Sequence, residues 1–206
     1  TNDNRKHTEK PYDSTSNKTS SKHAKSRQGG QRLTETKTSR MTSKSTASQP
    51  EMNRSNMKAL GEKAVKLSRE NKMKGQEFLE KNKTAEGIRV FNRSQIQYRI
   101  VAEGDGAVPD YDDVVKVHYN GYLIDGYKFD SSYDRGEPAT FSVKGVIPGW
   151  TEILQKMPTG SKWEVFIPHN LAYGVSGVAS DPKKGEYVIP PSSTLIFEIE
   201  LLEIIE

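Results

Sequence analysis

The chain has 206 residues, with 31 Lys/Arg against 27 Asp/Glu and no cysteine. The missing cysteine excludes a disulfide frame, thiolate chemistry and a Cys-based zinc site. Charge is unevenly spread, at +7 over residues 1–50, +3 over 51–87 and −6 over 88–206, so the basic balance belongs to the N-terminal part and no nucleic-acid partner is expected.

Apolar residues make up 33 % of the chain and concentrate in residues 96–206, the part able to bury a core. Residues 1–50 are Ser, Thr, Lys, Asn and Gln with scattered charge. They read as a disordered basic tail, because so little apolar surface cannot offset backbone ordering of ~1–2 kcal/mol per residue. The alternative for this segment is a basic arm for acidic polymers or membranes. No apolar run approaches the ~20 residues of a membrane span.

Residues 51–87 are expected to hold one long helix, over 54–81. Met57, Leu60, Ala64 and Leu67 recur at helical spacing and Phe78-Leu79 close the run. Asn71 and Lys74 interrupt that stripe, which predicts a narrow apolar face, a solvent-bridging helix or one docked on another domain, and a monomer rather than a zipper.

From residue 88 the pattern changes to period two. Strands are predicted at 97–103, 112–123, 128–131, 139–143, 162–167 and 194–205, with Val115, Val117, Tyr119 and Gly121 sharing a face. Asp125-Gly126 signals a hairpin. Residues 168–191 read as a loop. At the centre stands Val146-Ile147-Pro148-Gly149-Trp150, two aliphatic residues ending a strand, a Pro-Gly turn and a Trp opening a short helix over 151–157. The first N–H groups of a helix lack internal partners and could receive a ligand carbonyl, with the indole as an apolar floor. The fold class is α+β, a curved antiparallel sheet wrapped on a short helix and preceded by the long one.

No phosphate-cradling glycine motif, His/Glu metal spacing or nucleophile elbow is present. His118 falls on the strand face opposite Tyr119 and His169 follows Pro168, so both read as surface or satisfied histidines. No metal and no cofactor is expected. Aromatics from separate elements stand out, Tyr119, Phe129, Trp150, Tyr173 and Phe197, but such residues taken alone are more often simple core than a pocket.

The motifs around them decide. Val117-His118-Tyr119-Asn120-Gly121, Phe129-Asp130-Ser131-Ser132, Val146-Ile147-Pro148-Gly149-Trp150, Leu171-Ala172-Tyr173-Gly174 and the run Ile189 to Phe197 occur in this order. Together they resemble the FKBP-type peptidyl-prolyl isomerases across residues 97–206. The helix segment Lys74-Gly75-Gln76-Glu77-Phe78-Leu79 with Asn82 is similar to the connecting helix of the macrophage infectivity potentiator (Mip) branch. Within that branch the chain is most similar to the shorter Mip-like proteins of trypanosomatid parasites.

That resemblance implies an isomerase domain over 88–206 and a pocket walled by Tyr119, Phe129, Val146, Ile147 and Phe197, with Trp150 as floor. It implies that Asp130 faces the substrate and is held by Arg135, and that the Ile147 N–H and the Tyr173 hydroxyl donate to substrate carbonyls. Ala172 and Ile189 would line the rim. Proline-containing peptides and proteins would be substrates, rapamycin and tacrolimus inhibitors, and the location secreted or otherwise extracytoplasmic, although no signal peptide is visible. Two departures bear on substrate preference, a longer loop at Ser180 to Glu186 and Ala139 where a bulky aromatic often stands. Two other readings compete, a binding or chaperone module of this fold with little turnover, and an adhesin driven by its tail.

Overall fold

The computed structural model describes residues 54–205; the tail expected over 1–50 lies outside the described residues. The long helix, α1, runs Arg54–Asn82. Nine strands follow: β1 (Arg89–Val90), β2 (Gln97–Ala102), β3 (Val114–Leu123), β4 (Lys128–Ser131), β5 (Ala139–Ser142), β6 (Lys162–Ile167), β7 (Val178–Asp181), β8 (Glu186–Ile189) and β9 (Leu195–Ile205). Between them lie a one-turn helix α2 (Ser132–Arg135) and the short helix α3 (Pro148–Leu154).

Seven strands make one antiparallel sheet in the order β1-β2-β6-β9-β3-β4, with β5 also on β3. The long central strands β3 and β9 pair from Val114↔Ile205 to Leu123↔Leu195. Strict alternation turns Val115, Val117, Tyr119 and Gly121 to the buried face, with Ile199 and Leu201 beside them. Helix α3 lies on that face, and Ile153, Leu154 and the following Met157 are fully buried against it. This is the predicted α+β architecture.

Three local expectations are corrected. Helix α3 begins at Pro148, three residues before the expected start: the Pro occupies the first helical position, where its missing N–H costs nothing, so Pro148-Gly149 opens the helix rather than turning the chain before it. The strand expected to reach Val143 stops at Ser142, and a single 3₁₀ turn, Val143–Gly145, carries the chain to Val146. The stretch read as a loop contains a 3₁₀ turn, His169–Leu171, and the β7–β8 hairpin.

Of the two alternatives open for helix α1, docking is the one found: along its C-terminal half it lies on the domain rather than bridging solvent. The Asn71 amide, read as an interruption, donates to the Pro191 carbonyl at 2.9 Å, and Ser68 Oγ lies 2.7 Å from Ser192 Oγ. Farther along, Phe78 meets Phe166 at 5.9 Å, Gln97 donates to the Leu79 carbonyl at 2.8 Å, and Asn82 donates to Gln97 at 2.9 Å. Gly75 is buried, and a methyl group there would sit 2.3 Å from Thr194 Oγ1, so only glycine lets helix and strand approach this closely. Ser68, Asn71, Gly75, Phe78 and Asn82 recur every three or four residues and make one continuous stripe, part polar and part apolar.

A candidate active site floored by Trp150

The sequence places Trp150 in the first turn of α3, where its indole, only 4 % exposed, points up between the sheet and the chain entering the helix. Three rings meet it nearly edge-on: Tyr119 at 5.2 Å, Phe197 at 5.3 Å and Phe141 at 5.7 Å. Phe129 stands perpendicular to Phe197 at 5.7 Å. Edge-to-face packing adds roughly 0.5–1.5 kcal/mol per pair beyond buried area, so this box of rings is rigid. Strand β3 leaves room for it at Gly121, where a methyl group would fall 2.7 Å from the Phe129 ring.

The result is a cavity of about 290 Å³ lined by Tyr119, Phe129, Asp130, Phe141, Gly145, Val146, Ile147, Trp150, Tyr173 and Phe197. Eight sequence-predicted residues meet there. Arg135 holds the site from outside: its guanidinium pairs with Asp130 and donates to the Tyr119 hydroxyl at 2.9 Å. Ala172 and Ile189, expected at the rim, are not among the residues that line the cavity. Ile189 ends β8 paired with Val178 and is buried in the core, while Ala172 closes the 3₁₀ turn with its N–H on the His169 carbonyl. Phe141 is the wall that the sequence reading missed. It lies two residues from Ala139 on the same face of β5 and supplies the bulk that Ala139 lacks; period-two alternation was the signal for it.

Asp130 is the one carboxylate on the wall. Its Oδ2 accepts the Tyr119 hydroxyl at 2.5 Å and its Oδ1 accepts the Ser131 N–H at 2.8 Å. Partial burial alone would raise this carboxyl, but the bonds from Tyr119 and Arg135 and the guanidinium charge outweigh it and hold it below the usual carboxylate range. Burial, then the bond to Asp130, pushes the Tyr119 phenol up; burial, then the Asp130 charge, does the same to Tyr173. Around neutrality the site therefore offers an ionised carboxylate and two intact phenols.

Of the donors expected, two N–H groups of the helix start are taken, whereas the two that the resemblance implies are free. The N–H groups of Trp150 and Thr151 both turn back onto the Ile147 carbonyl, at 2.9 and 3.1 Å, so the helix start has none to offer from these two. The Ile147 N–H, one residue before the helix, has no acceptor among the described residues. The Tyr173 hydroxyl likewise makes no hydrogen bond among them, and the residue is 41 % exposed. The histidines stand elsewhere. His118 stacks on Tyr133 at 4.4 Å with Nδ1 2.9 Å from Ser132 Oγ, and His169 is not on the wall.

An apolar, ring-walled cavity at the start of a helix crossed by a curved antiparallel sheet belongs to a known class. Residues 106–202 match the family model described as FKBP-type peptidyl-prolyl cis-trans isomerase, and residues 13–100 match the domain amino-terminal to FKBP-type peptidyl-prolyl isomerase. A solved peptidyl-prolyl cis-trans isomerase of Pseudomonas syringae pv. tomato superposes with a TM-score of 0.59 at 35 % identity, over 68 % of this chain and 96 % of that one. The chain belongs to the FKBP-type peptidyl-prolyl cis-trans isomerase family. Among relatives, it is 53 % identical over 131 residues to the FKBP-type 22 kDa peptidyl-prolyl cis-trans isomerase of Escherichia coli, covering 64 % of this chain and 60 % of that protein. It is 50 % identical over 139 residues to the outer membrane protein MIP of Legionella longbeachae, covering 68 % and 56 %. The chain thus spans less than two thirds of the length of these two relatives.

Proposed function

We propose that this chain is a peptidyl-prolyl cis-trans isomerase that accelerates rotation about X–Pro bonds in peptides and proteins. The observation that carries this reading is a ring-walled cavity that combines uncommitted neutral donors, the Ile147 N–H and the Tyr173 hydroxyl among them, with no histidine on its wall. Rotation must cross ~18–20 kcal/mol because amide resonance is lost in the twisted state. Water favours the planar, charge-separated amide. A dry pocket disfavours it relative to the twisted form, and donors aimed at the twisted state's carbonyls add stabilisation. The proline ring would rest on Trp150 between Tyr119, Phe129, Val146, Ile147 and Phe197. Asp130, kept ionised and aimed by Tyr119 and Arg135, faces the substrate without exchanging a proton.

Macrolides of the rapamycin and tacrolimus type, whose pipecolyl ring mimics proline, are the inhibitors we expect for these walls. The placement in the Mip branch rests on the motif Lys74 to Leu79 and on the likeness to the MIP relative, and the finer placement among Mip-like proteins of the trypanosomatid kind on the sequence resemblance alone. A secreted or otherwise extracytoplasmic location rests on that relative's outer membrane description. No helix among the described residues is long and apolar enough to cross a membrane. A monomer is the proposed state, supported by the docking of one face of α1 on its own domain.

The test is a protease-free isomerisation assay on a proline tetrapeptide, with Trp150 emission reporting macrolide binding. Acceleration that both macrolides suppress is expected. A folded sample without acceleration would make this a binding module instead.

A further inference from the structure

No hydrogen bond holds the Tyr173 hydroxyl, so its position depends on how its ring packs at the cavity and on where its backbone is held. Two bonds of that backbone stay inside the loop: the Gly174 N–H donates to the His169 carbonyl at 2.9 Å, and the Tyr173 carbonyl accepts the Gly177 N–H at 3.2 Å. The bond that leaves the loop is from the Ser192 N–H to the Gly174 carbonyl, at 2.8 Å. Ser192 is an unusual anchor. It is 1 % exposed and holds a φ of +57°, a conformation that side chains other than glycine adopt only where the surroundings over-determine it.

Helix α1 supplies those surroundings. Ser68 Oγ lies 2.7 Å from Ser192 Oγ, and the Asn71 amide donates to the Pro191 carbonyl, the group just before Ser192, at 2.9 Å. Ser68 and Asn71 are three residues apart and so occupy one face of the helix. Gly75 continues that face against Thr194, two residues beyond Ser192. The strained turn is therefore gripped by a helix that contributes no atom to the pocket wall.

We infer that Ser68 and Asn71 are positioning residues that fix the Tyr173 hydroxyl through Ser192 and Gly174, so that α1 is part of the machinery of isomerisation. The inference rests on the proposed role of Tyr173 as a donor to substrate. It also sets a ceiling, because loosening the grip can cost no more than removing the hydroxyl, about two- to twelvefold for one neutral hydrogen bond.

The experiment is a set of full-chain variants, Ser68→Ala/Asn71→Ala, Ser68→Thr and Tyr173→Phe, with the first also combined with Tyr173→Phe. Tetrapeptide kcat/KM is measured alongside the ¹³C ring resonance of Tyr173, assigned by its loss in Tyr173→Phe. The paired alanine variant should lose activity up to the Tyr173→Phe level and move the Tyr173 resonance. Ser68→Thr, which keeps the hydroxyl, should preserve both. In the Tyr173→Phe background the paired change should have no further effect on kcat/KM. A full additive loss in that background, or an unmoved resonance, would overturn the inference. If Tyr173→Phe itself leaves kcat/KM unchanged, the donor role fails. The resonance would still show whether α1 positions the ring, so the two failures are told apart.

Discussion

Two tyrosine–carboxylate pairs sit on opposite faces of the sheet around β3, and they are built alike. On the concave face, Tyr119 donates to Asp130 at 2.5 Å with the Arg135 guanidinium 5.5 Å from its ring centre. On the outer face, Tyr133 donates to Glu200 at 2.5 Å with the Lys162 ammonium 5.6 Å from its ring centre. Both phenols are pushed up by burial and then by the carboxylate bond, so chemically the groups are near equals. What differs is what lies beyond them. Tyr119 is 6 % exposed and borders the cavity over Trp150, whereas Tyr133 is 38 % exposed, with His118 stacked on one side and Glu200 bonded to its hydroxyl. A charge-buttressed tyrosine is therefore no mark of a site on its own; the ring-lined concavity with unsatisfied donors is.

The sharpest way to break that comparison is to remove the corresponding groups on both faces. Asp130→Ala removes the acceptor of charge-assisted bonds worth about 1.5–3 kcal/mol, and Phe129→Ala removes a wall ring, so each should lower kcat/KM by about ten- to a hundredfold. Tyr133→Phe and Glu200→Gln on the outer face should stay within about twofold. Equal losses on the two faces, in proteins shown folded by circular dichroism, would mean that the pocket has been put on the wrong side of the sheet.

A second contrast uses neighbouring residues of β3. Gly121→Ala drives a methyl group toward the Phe129 and Phe197 rings, and overpacking of this kind costs about 1–3 kcal/mol of stability while filling the cavity. Asn120→Ala, on the outward face, gives up bonds to Glu198 and Ser131 Oγ, worth about 0.5–1.5 kcal/mol each, and leaves the cavity unchanged. Urea melts and tetrapeptide assays on the two variants should separate them: Gly121→Ala loses both stability and activity, Asn120→Ala stability alone.

Smaller again is Tyr173→Phe. It deletes one free donor and leaves the ring, so a loss of about two- to twelvefold in kcat/KM is expected with the melting temperature unchanged. A loss as deep as that of Asp130→Ala would give the phenol a larger part than one neutral hydrogen bond.

How legible these faces were in the sequence follows from how each is encoded. Strand alternation is strict, so Tyr119 inward and His118 outward could be read directly from β3. Phe129, Asp130, Trp150 and Tyr173 came from motif order rather than periodicity, since nothing in their local pattern separates a pocket from a core. The docking of α1 was only half legible, because its stripe includes Asn71, which scores as a break when only apolar residues are counted, and Gly75, which carries no apolar signal. One is a satisfied polar contact and the other a point of close approach. The β7–β8 hairpin escaped because strands of four residues, mostly half-buried or exposed, carry no clear alternation. The start of α3 was displaced because Pro-Gly signals a turn as readily as a helix opening.

The smallest expected effect, a flat pH profile, separates the faces by mechanism. No group on the concave wall should change charge near neutrality. Asp130 is held below the usual carboxylate range, chiefly because the Tyr119 and Arg135 bonds and the guanidinium charge overcome its desolvation, while burial raises Tyr119 and Tyr173 above the ordinary phenol value. Reference values near 3.9 and 10 bracket the window, so kcat/KM should vary little between roughly pH 5.5 and 8.5. Stability need not be flat over the same range. Burial, then the charge of Lys72, lowers His169 from its usual value, so the folded protein resists protonating it more than the unfolded chain does. A depressed group of this kind contributes stability that is complete above the unfolded value near 6.5 and is lost as pH falls through the folded one. The Asp130 contribution has the same sign, but it begins to be lost only below about 3.9 and so lies outside the window. The melting temperature should therefore begin to fall below about pH 6.5 while catalytic efficiency holds, and His169→Gln should remove that part of the fall. His118, stacked on Tyr133 away from the cavity, should affect neither efficiency nor its pH dependence when changed to Gln. A tenfold drop in kcat/KM through pH 6–7 that either His→Gln variant abolishes would install a proton donor in the mechanism and end the desolvation account.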